Sequence, residues 1–589
     1  MKLVDLRRML CIGLILVTLL GAVGCAPISA SDPSTQPSTP TGIPTQPASV
    51  PTEPATVPPE PTEPATEPPT EPTEPTTPPT EPTEPPEPML DPALPLFELT
   101  QADVDEFYRL LEEAELLAMA GEDMDAIDAA TQALDAQYEF ISTQCSISMI
   151  LHYSDESNDM LEAQYLSCYE TYSQANKAYI LMSRRVYESD SPAKEELFKD
   201  WTEQDLAQLL AYEEEIALLQ ERNASIEVEY MNATTDEERI RLYIELIQNN
   251  NQIAQTFGYE NYYTYAYSLV YNRDYFTDEL EQMRQYARTC LIDAVDEAYA
   301  NFMTSFRREL PEYKQNQLVS FLYMDYTSIY PNYVEYHLSR MPESMQTHMN
   351  AMLTSDSYFT TLPTAMEGAF TTMIGDRSYC FFGPGYGNNC TVMHEAGHYY
   401  ASRYTDLNSL PLDLAETHSQ GSEWLFVCNL QGKMVGDLYK AMVDYRLYDD
   451  IVTILTCLMI DEFEQRVYSA DVSNFTAADF DAIMDSVLRQ YCTADFADDY
   501  LLDISAYWRQ VVVLQSVYYI SYAVSSVASL DLYTMAVEDF DSAVAVYQSL
   551  CEEPLEEAGF LGNITAAGLS GPFQEEFYIE LVELINSRT

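Results

Sequence analysis

Proline is concentrated at one end of this chain: 24 of its 33 prolines lie at or before residue 95. The heart of that region reads "PTEPATEPPTEPTEPTTPPTEPTEPPEP". Proline has no backbone N–H to donate, and the stretch carries almost no apolar side chains, so residues 31–95 can build neither a helix, a sheet nor a core. An extended, polyproline-II-like spacer is the expectation. At ~3.1 Å per residue it reaches on the order of 150–200 Å. Whatever folds must be made from residue 96 onward.

There the texture changes. "DEFYRLLEEAELLAMA", "TEQDLAQLLAYEEEIALLQERNASIEVEYM" and "DEERIRLYIELIQNNNQIAQTF" repeat apolar residues three and four apart, with acids and amides between them. Pro192, Pro311, Pro331, Pro342 and Pro363 fall between such runs, as helix punctuation does. No repeat of 20–50 residues is present. The pattern predicts a mainly α body with little strand. "RSYCFF" is the best strand candidate, just ahead of the loop "GPGYGNN".

Ahead of the spacer, Lys2, Arg7 and Arg8 precede the apolar run "MLCIGLILVTLLGAV". That run is short for a membrane span but suits an export signal. It ends in "GAVGC", which resembles a bacterial lipobox, with Ala22 where such boxes usually carry leucine. The expectation is a signal peptide over 1–24 and a lipidated Cys25 that begins the tether of residues 25–95. The protein would then stand at the outer face of the bacterial cytoplasmic membrane; cleavage near Ala30 would instead release it as a secreted protein.

The chain carries 95 acidic against 28 basic side chains, a formal charge of −67, of which residues 1–95 contribute only −9. A folded part this acidic repels nucleic acid and anionic lipid headgroups, so neither is expected as a partner. Membrane attachment is left to the lipid anchor alone. Nine cysteines follow Cys25, without CxxC pairs. Cys380 and Cys390 flank the glycine-rich loop and could bridge; buried thiols are the other reading.

Only six histidines occur in the chain, and two of them sit in "VMHEAGHYYA". On a helix, His394 and His398 share one face a turn apart, with Glu395 beside them. Two neutral imidazoles can hold one zinc ion while the carboxylate takes a proton from water at the open position. Gly397 costs ~1 kcal/mol relative to alanine inside a helix, so a purely structural helix gains nothing from it. A third ligand is needed. The pattern HExxHxxGxxH fails, because Ala401 and Tyr404 stand at its last two defined positions. In "LPLDLAETHSQGSEWLF", Glu416, Gln420 and Glu423 form one helical stripe. Glu416 is the candidate ligand and Glu423 the candidate partner of a ligand histidine. His418 competes, but it lies about 200° around the helix from Glu416.

"HEAGH" followed by "AETHSQGSEW" resembles the thimet oligopeptidase and oligoendopeptidase F family of zinc peptidases. "IAQTFGYENYYTYAYSLVYNRDY" is similar to that family's helical lobe, and "VYYISYAVSS" to its C-terminal tyrosine motif. The resemblance spans roughly residues 100–589. It implies a two-lobed, helical zincin-type fold, with an N-terminal lobe over 96–330 and a catalytic lobe over 331–589. A small sheet would lie beside the zinc helix, and a deep channel would take short, extended peptides. One zinc per chain would be bound by His394, His398 and Glu416, with Glu395 as general base. Tyr519 and Tyr522 would assist the carbonyl oxygen as negative charge builds on it, with Tyr518 as the neighbouring alternative. A monomer is expected. Relatives carry a histidine shortly before these tyrosines, where this chain reads "WRQVVVLQS" around Val511. That departure keeps open a second reading, a peptide-binding lipoprotein on an inactive peptidase scaffold.

Overall fold

The computed structural model describes residues 94–588, apart from 200, 213, 406–409, 493–507, 510, 511, 514, 556 and 557. The signal segment, Cys25, the proline-rich tether and Val511 therefore lie outside the described residues.

The body opens with three long helices, α1 (Gln101–Ala120), α2 (Met124–Ser154) and α3 (Asp159–Glu188). Thr100 and Asp103 form a capping box at the start of α1, and Gly121 closes it at a left-handed φ of 63°. Asp123 caps α2 by accepting from the Ala126 amide. Ile127, Leu134, Tyr138, Ile141 and Cys145 make the inner stripe of α2, and Tyr165, Cys168, Tyr172 and Tyr179 that of α3. Two further helices, α4 (Glu214–Asn232) and α5 (Asp236–Thr256), pack as a pair. Asn223 and Asn250 join them through a 2.8 Å hydrogen bond. One apolar core continues through the segments on both sides of residue 330.

A three-stranded sheet follows: β1 (Ser357–Phe359), β2 (Ala369–Ile374) and β3 (Arg377–Phe382) in the order β1-β3-β2. β3 is the segment "RSYCFF". It runs parallel to β1 and antiparallel to β2, with Thr371 opposite Cys380. The two-residue turn from β2 to β3 uses Gly375 at φ 63°. Cys380 and Cys390 do not bridge; all nine cysteines after Cys25 are free thiols. Each of these two is instead buried among apolar neighbours.

Next come α6 (Asn389–Ala401), α7 (Leu412–Asn429) and α8 (Gly436–Tyr468), and later α9 (Ile520–Glu538) and α10 (Phe540–Glu552). Asn388, at the end of the glycine-rich loop, caps α6 by accepting from the amides of Cys390 and Thr391. α6 and α7 cross very closely at Gly397, where a Cβ would stand 2.4 Å from the His418 carbonyl oxygen. The helical glycine thus has a packing reason. Any side chain there would push apart the two helices that carry His394, His398 and Glu416. α9 is apolar and long enough to cross a membrane, but it lies inside the fold against α7 and α8.

Candidate active site

Three donor atoms converge where α6 meets α7. His394 Nε2 and His398 Nε2 stand 3.6 and 3.7 Å from Glu416 Oε2, and the group lies within 4.8 Å throughout. These separations exceed hydrogen-bond length and suit ligands on adjacent corners of one tetrahedral ion. Burial, followed by the neighbouring histidines, holds His398 well below its usual range, which keeps its imidazole neutral and able to ligate. Burial raises the Glu416 carboxyl, a cost that a bound cation would offset. Two nitrogens and one carboxylate oxygen are a donor set that fits zinc. His418 is turned away: its Nε2 lies 3.1 Å from the Leu550 carbonyl oxygen, outside the donor group.

Glu423 lies 2.8 Å from His394 Nδ1. Although burial opposes ionisation, the Arg446 guanidinium and His394 hold the Glu423 carboxyl below the usual range. An ionised Glu423 only accepts, so His394 carries its proton on Nδ1 and turns an unprotonated Nε2 toward Glu416. Arg446, on α8, reaches Glu423 at 3.1 Å and Asp450 at 3.4 Å, and the Trp424 indole donates to Asp450 at 2.7 Å. The charge pattern around His394 is therefore fixed from two other helices, α7 and α8.

Glu395 is fully buried. Thr371 Oγ1, on β2, donates to Glu395 Oε2 at 2.7 Å, and Cys380 Sγ lies 3.2 Å from the same hydroxyl. Glu395 Oε1 is buried without a hydrogen-bond partner among the described residues. Burial pushes this carboxyl up to about 7, against the pull of His394 and Thr371. A carboxyl poised there can both take and return a proton near neutrality.

The tyrosine segment reaches the site through Glu416. Tyr518 donates to Glu416 Oε1 at 2.7 Å, and its hydroxyl lies 3.4 Å from that of Tyr522. The regular helix begins at Ile520; Tyr519, its N-cap, already has helical backbone angles, and its carbonyl accepts from the Tyr522 amide at 3.1 Å. The Tyr519 ring lies 5.9 Å from that of Tyr518 and 6.2 Å from that of Tyr522. Val512 and Val513 are packed in the core.

Val517, just before these tyrosines, sits at φ 61°, a left-handed conformation that a β-branched residue rarely adopts. Three buried side chains from elsewhere hold this corner. Glu464 accepts from the Val517 amide at 2.8 Å, and Tyr271 donates to the Ser516 carbonyl at 2.7 Å. Arg273 donates to the Tyr518 carbonyl at 3.3 Å and to Ser521 Oγ at 2.9 Å. Arg273 also lies over the Tyr267 and Tyr271 rings and 3.5 Å from Asp413 of α7. Thr371, Arg446, Arg273 and Glu464 each act from a distant element, so no local spacing in the sequence marks them.

Among solved structures, the chain is similar to PZ peptidase A with an inhibitor, at 16% identity and a TM-score of 0.66 over 83% of this chain and 98% of that one. A protein assigned as an oligoendopeptidase F aligns at 18% identity and a TM-score of 0.65, over 83% and 97%. The oligoendopeptidase-F of Enterococcus faecium aligns at 13% identity and a TM-score of 0.52, over 83% and 98%. No protein-family profile matches the sequence, and no curated protein matches it by sequence. The chain has a helical peptidase fold. More narrowly, it is the fold seen in the oligoendopeptidases, here at 13% to 18% sequence identity.

Proposed function

We propose that this chain is an exported, lipid-anchored zinc metalloendopeptidase that hydrolyses internal bonds of short, extended peptides. The observation that carries the reading is the convergence of His394, His398 and Glu416 beside a buried, strand-held Glu395, on a fold shared with peptidases. A zinc ion bound by the three ligands would polarise the attacking water and the scissile carbonyl. Glu395 takes the water's proton as the C–O bond forms, then returns it to the departing amine as the C–N bond breaks. Tyr522, with Tyr519 beside it, donates to the carbonyl oxygen as charge develops there. Tyr518 has another task, since its hydroxyl is committed to Glu416. His394 is kept in one tautomer by Glu423.

The apolar start and "GAVGC" support an anchor at Cys25, and the proline-rich stretch supports a spacer that holds a monomeric enzyme off the membrane. Incubating the zinc-loaded protein with a mixed peptide library and reading products by mass spectrometry tests the activity. Internal cleavage that is lost in Glu395→Gln supports the enzyme. Binding with equally little hydrolysis by both proteins favours the receptor reading, which the missing family histidine keeps in view. Loss of lipid labelling in Cys25→Ser, with activity retained, tests the anchor separately.

A further inference from the structure

The two oxygens of Glu416 meet different surroundings. Oε2 faces the imidazoles, 3.6 and 3.7 Å from the Nε2 atoms of His394 and His398. Oε1 accepts the Tyr518 hydroxyl at 2.7 Å. Ser419 also reaches Oε2, at 3.1 Å, but its single proton is shared with the Glu416 carbonyl oxygen at 2.9 Å. Oε2 therefore keeps more of the carboxylate's charge, and it is the oxygen turned toward the ligand histidines. Glu416 is only 1% exposed, so bulk water does not compete with Tyr518 for Oε1.

The phenol is aimed from its backbone and its ring. Arg273 donates to the Tyr518 carbonyl at 3.3 Å, and the Tyr271 ring meets that of Tyr518 edge-on, with centroids 6.1 Å apart and planes at 74°. Tyr518 has one hydroxyl proton, and it is given to Glu416. Toward the Tyr522 hydroxyl, 3.4 Å away, its oxygen can only accept. That contact is long and weak, so Tyr522 can leave it for a substrate carbonyl. The two neighbouring hydroxyls are thus differently committed.

A carboxylate with both oxygens free can close on a cation with both, and so take up a second place in the coordination shell. A catalytic zinc site needs that place for water. A phenol on Oε1 opposes the closure, and a hydrogen bond to a buried, charged acceptor is among the stronger ones. We propose that Tyr518 is a positioning residue, which holds Glu416 to ligation through Oε2 alone and so keeps a coordination position open for water. The assignment rests on the zinc-peptidase reading and divides its tyrosines: Tyr518 serves the ligand, Tyr522 the carbonyl oxygen.

The test compares the full-length wild type with Tyr518→Phe and Tyr522→Phe. Phenylalanine at 518 keeps the ring and its contact with Tyr271 and removes only the hydroxyl. Each protein is loaded with cobalt and read by visible absorption, which is intense for four-coordinate and weaker for five-coordinate cobalt. Each is also loaded with zinc and assayed on the mixed peptide library. Tyr518→Phe should shift the cobalt spectrum from the four-coordinate toward the five-coordinate form. Its zinc turnover should fall by about ten- to a hundredfold, as for other partners of metal ligands, with KM nearly constant. Tyr522→Phe should lose turnover as well but keep the wild-type spectrum. A wild-type cobalt spectrum in Tyr518→Phe overturns the assignment, whatever happens to turnover or stability. Hydrolysis by the wild type together with that result removes the clamp and keeps the peptidase. A spectrum that shifts in Tyr518→Phe while the wild type hydrolyses nothing does the reverse, and a wild type that takes up neither metal removes both.

Discussion

Thr371 donates its hydroxyl to Glu395 Oε2 at 2.7 Å, so the acid of the metal helix is steadied by a strand and not by its own helix. One carboxylate oxygen is thereby occupied, and the other, Oε1, remains for the proton in transit.

Replacing Thr371 with valine keeps the shape and removes the donor. A hydrogen bond to a charged group contributes ~1.5–3 kcal/mol, so kcat should fall by roughly ten- to a hundredfold. Zinc content and KM should hardly change, and Thr371→Ser should recover most of the loss. Steady-state kinetics with metal analysis checks this. Equal kcat in the valine and serine variants would remove Thr371 from the mechanism.

Glu395 also ties stability to pH. Its carboxyl sits at about 7 in the folded, metal-free protein because of burial, above the usual 4.5. The folded state therefore holds this proton more tightly than the unfolded chain. The stabilisation is fully present below about pH 4.5 and is lost as pH rises to about 7, a change of about 3 kcal/mol. Glu395→Gln does not titrate, so the chelated variant should melt with the wild type at pH 4 and well above it at pH 8. Thermal unfolding of both chelated proteins across that window measures the difference. In the zinc-loaded protein the same variant should retain its metal and lose at least ~10³ in turnover, toward the upper end of what general-base catalysis contributes.

The choice between Glu416 and His418 has a direct readout. Glu416→Ala removes a donor atom 3.6 and 3.7 Å from the two imidazoles and should sharply lower zinc content. His418→Ala removes a ring that faces the Leu550 carbonyl and should leave zinc content near the wild-type level. Metal analysis after dialysis against a weak chelator decides between them, and the opposite ranking would displace Glu416 as ligand.

Much of this centre was legible because helical spacing is a strong local rule. His394, His398, Glu416 and Glu423 could be placed on faces of two helices from their intervals alone, and β3 from six residues before a loop. The limits of that rule are equally visible. Gly397 is explained by a carbonyl on another helix, which no interval within α6 reveals. Thr371 lies on a short strand 24 residues before Glu395, and Arg446 acts from a helix two elements away. No interval reveals that the chain turns at Val517 ahead of the helix beginning at Ile520, or that the Tyr518 hydroxyl reaches Glu416.

That turn carries the last prediction. A left-handed valine costs of order 1–3 kcal/mol and persists only where its surroundings over-determine it. Here Glu464, Tyr271 and Arg273 each fasten one of three successive residues, 516, 517 and 518. Glu464→Leu keeps the volume but removes the acceptor for the Val517 amide, leaving a buried N–H unsatisfied beside a strained backbone. The corner should relax and draw Tyr518 away from Glu416, and Tyr522 should lose its register with the metal ligands. We expect kcat to fall by roughly tenfold or more, with KM nearly constant and zinc held less tightly against a chelator. Glu464→Gln still offers a carbonyl oxygen to the amide and should stay close to wild type in both respects. Tyr271→Phe, which loses a single bond to the Ser516 carbonyl, should fall between the two. A Glu464→Leu protein that melts earlier but keeps the wild-type kcat and zinc affinity would show that the corner only supports the fold. Parallel losses in kcat and zinc affinity, graded from glutamine through Tyr271→Phe to leucine, would show instead that the strained turn sets the tyrosines on the metal ligand.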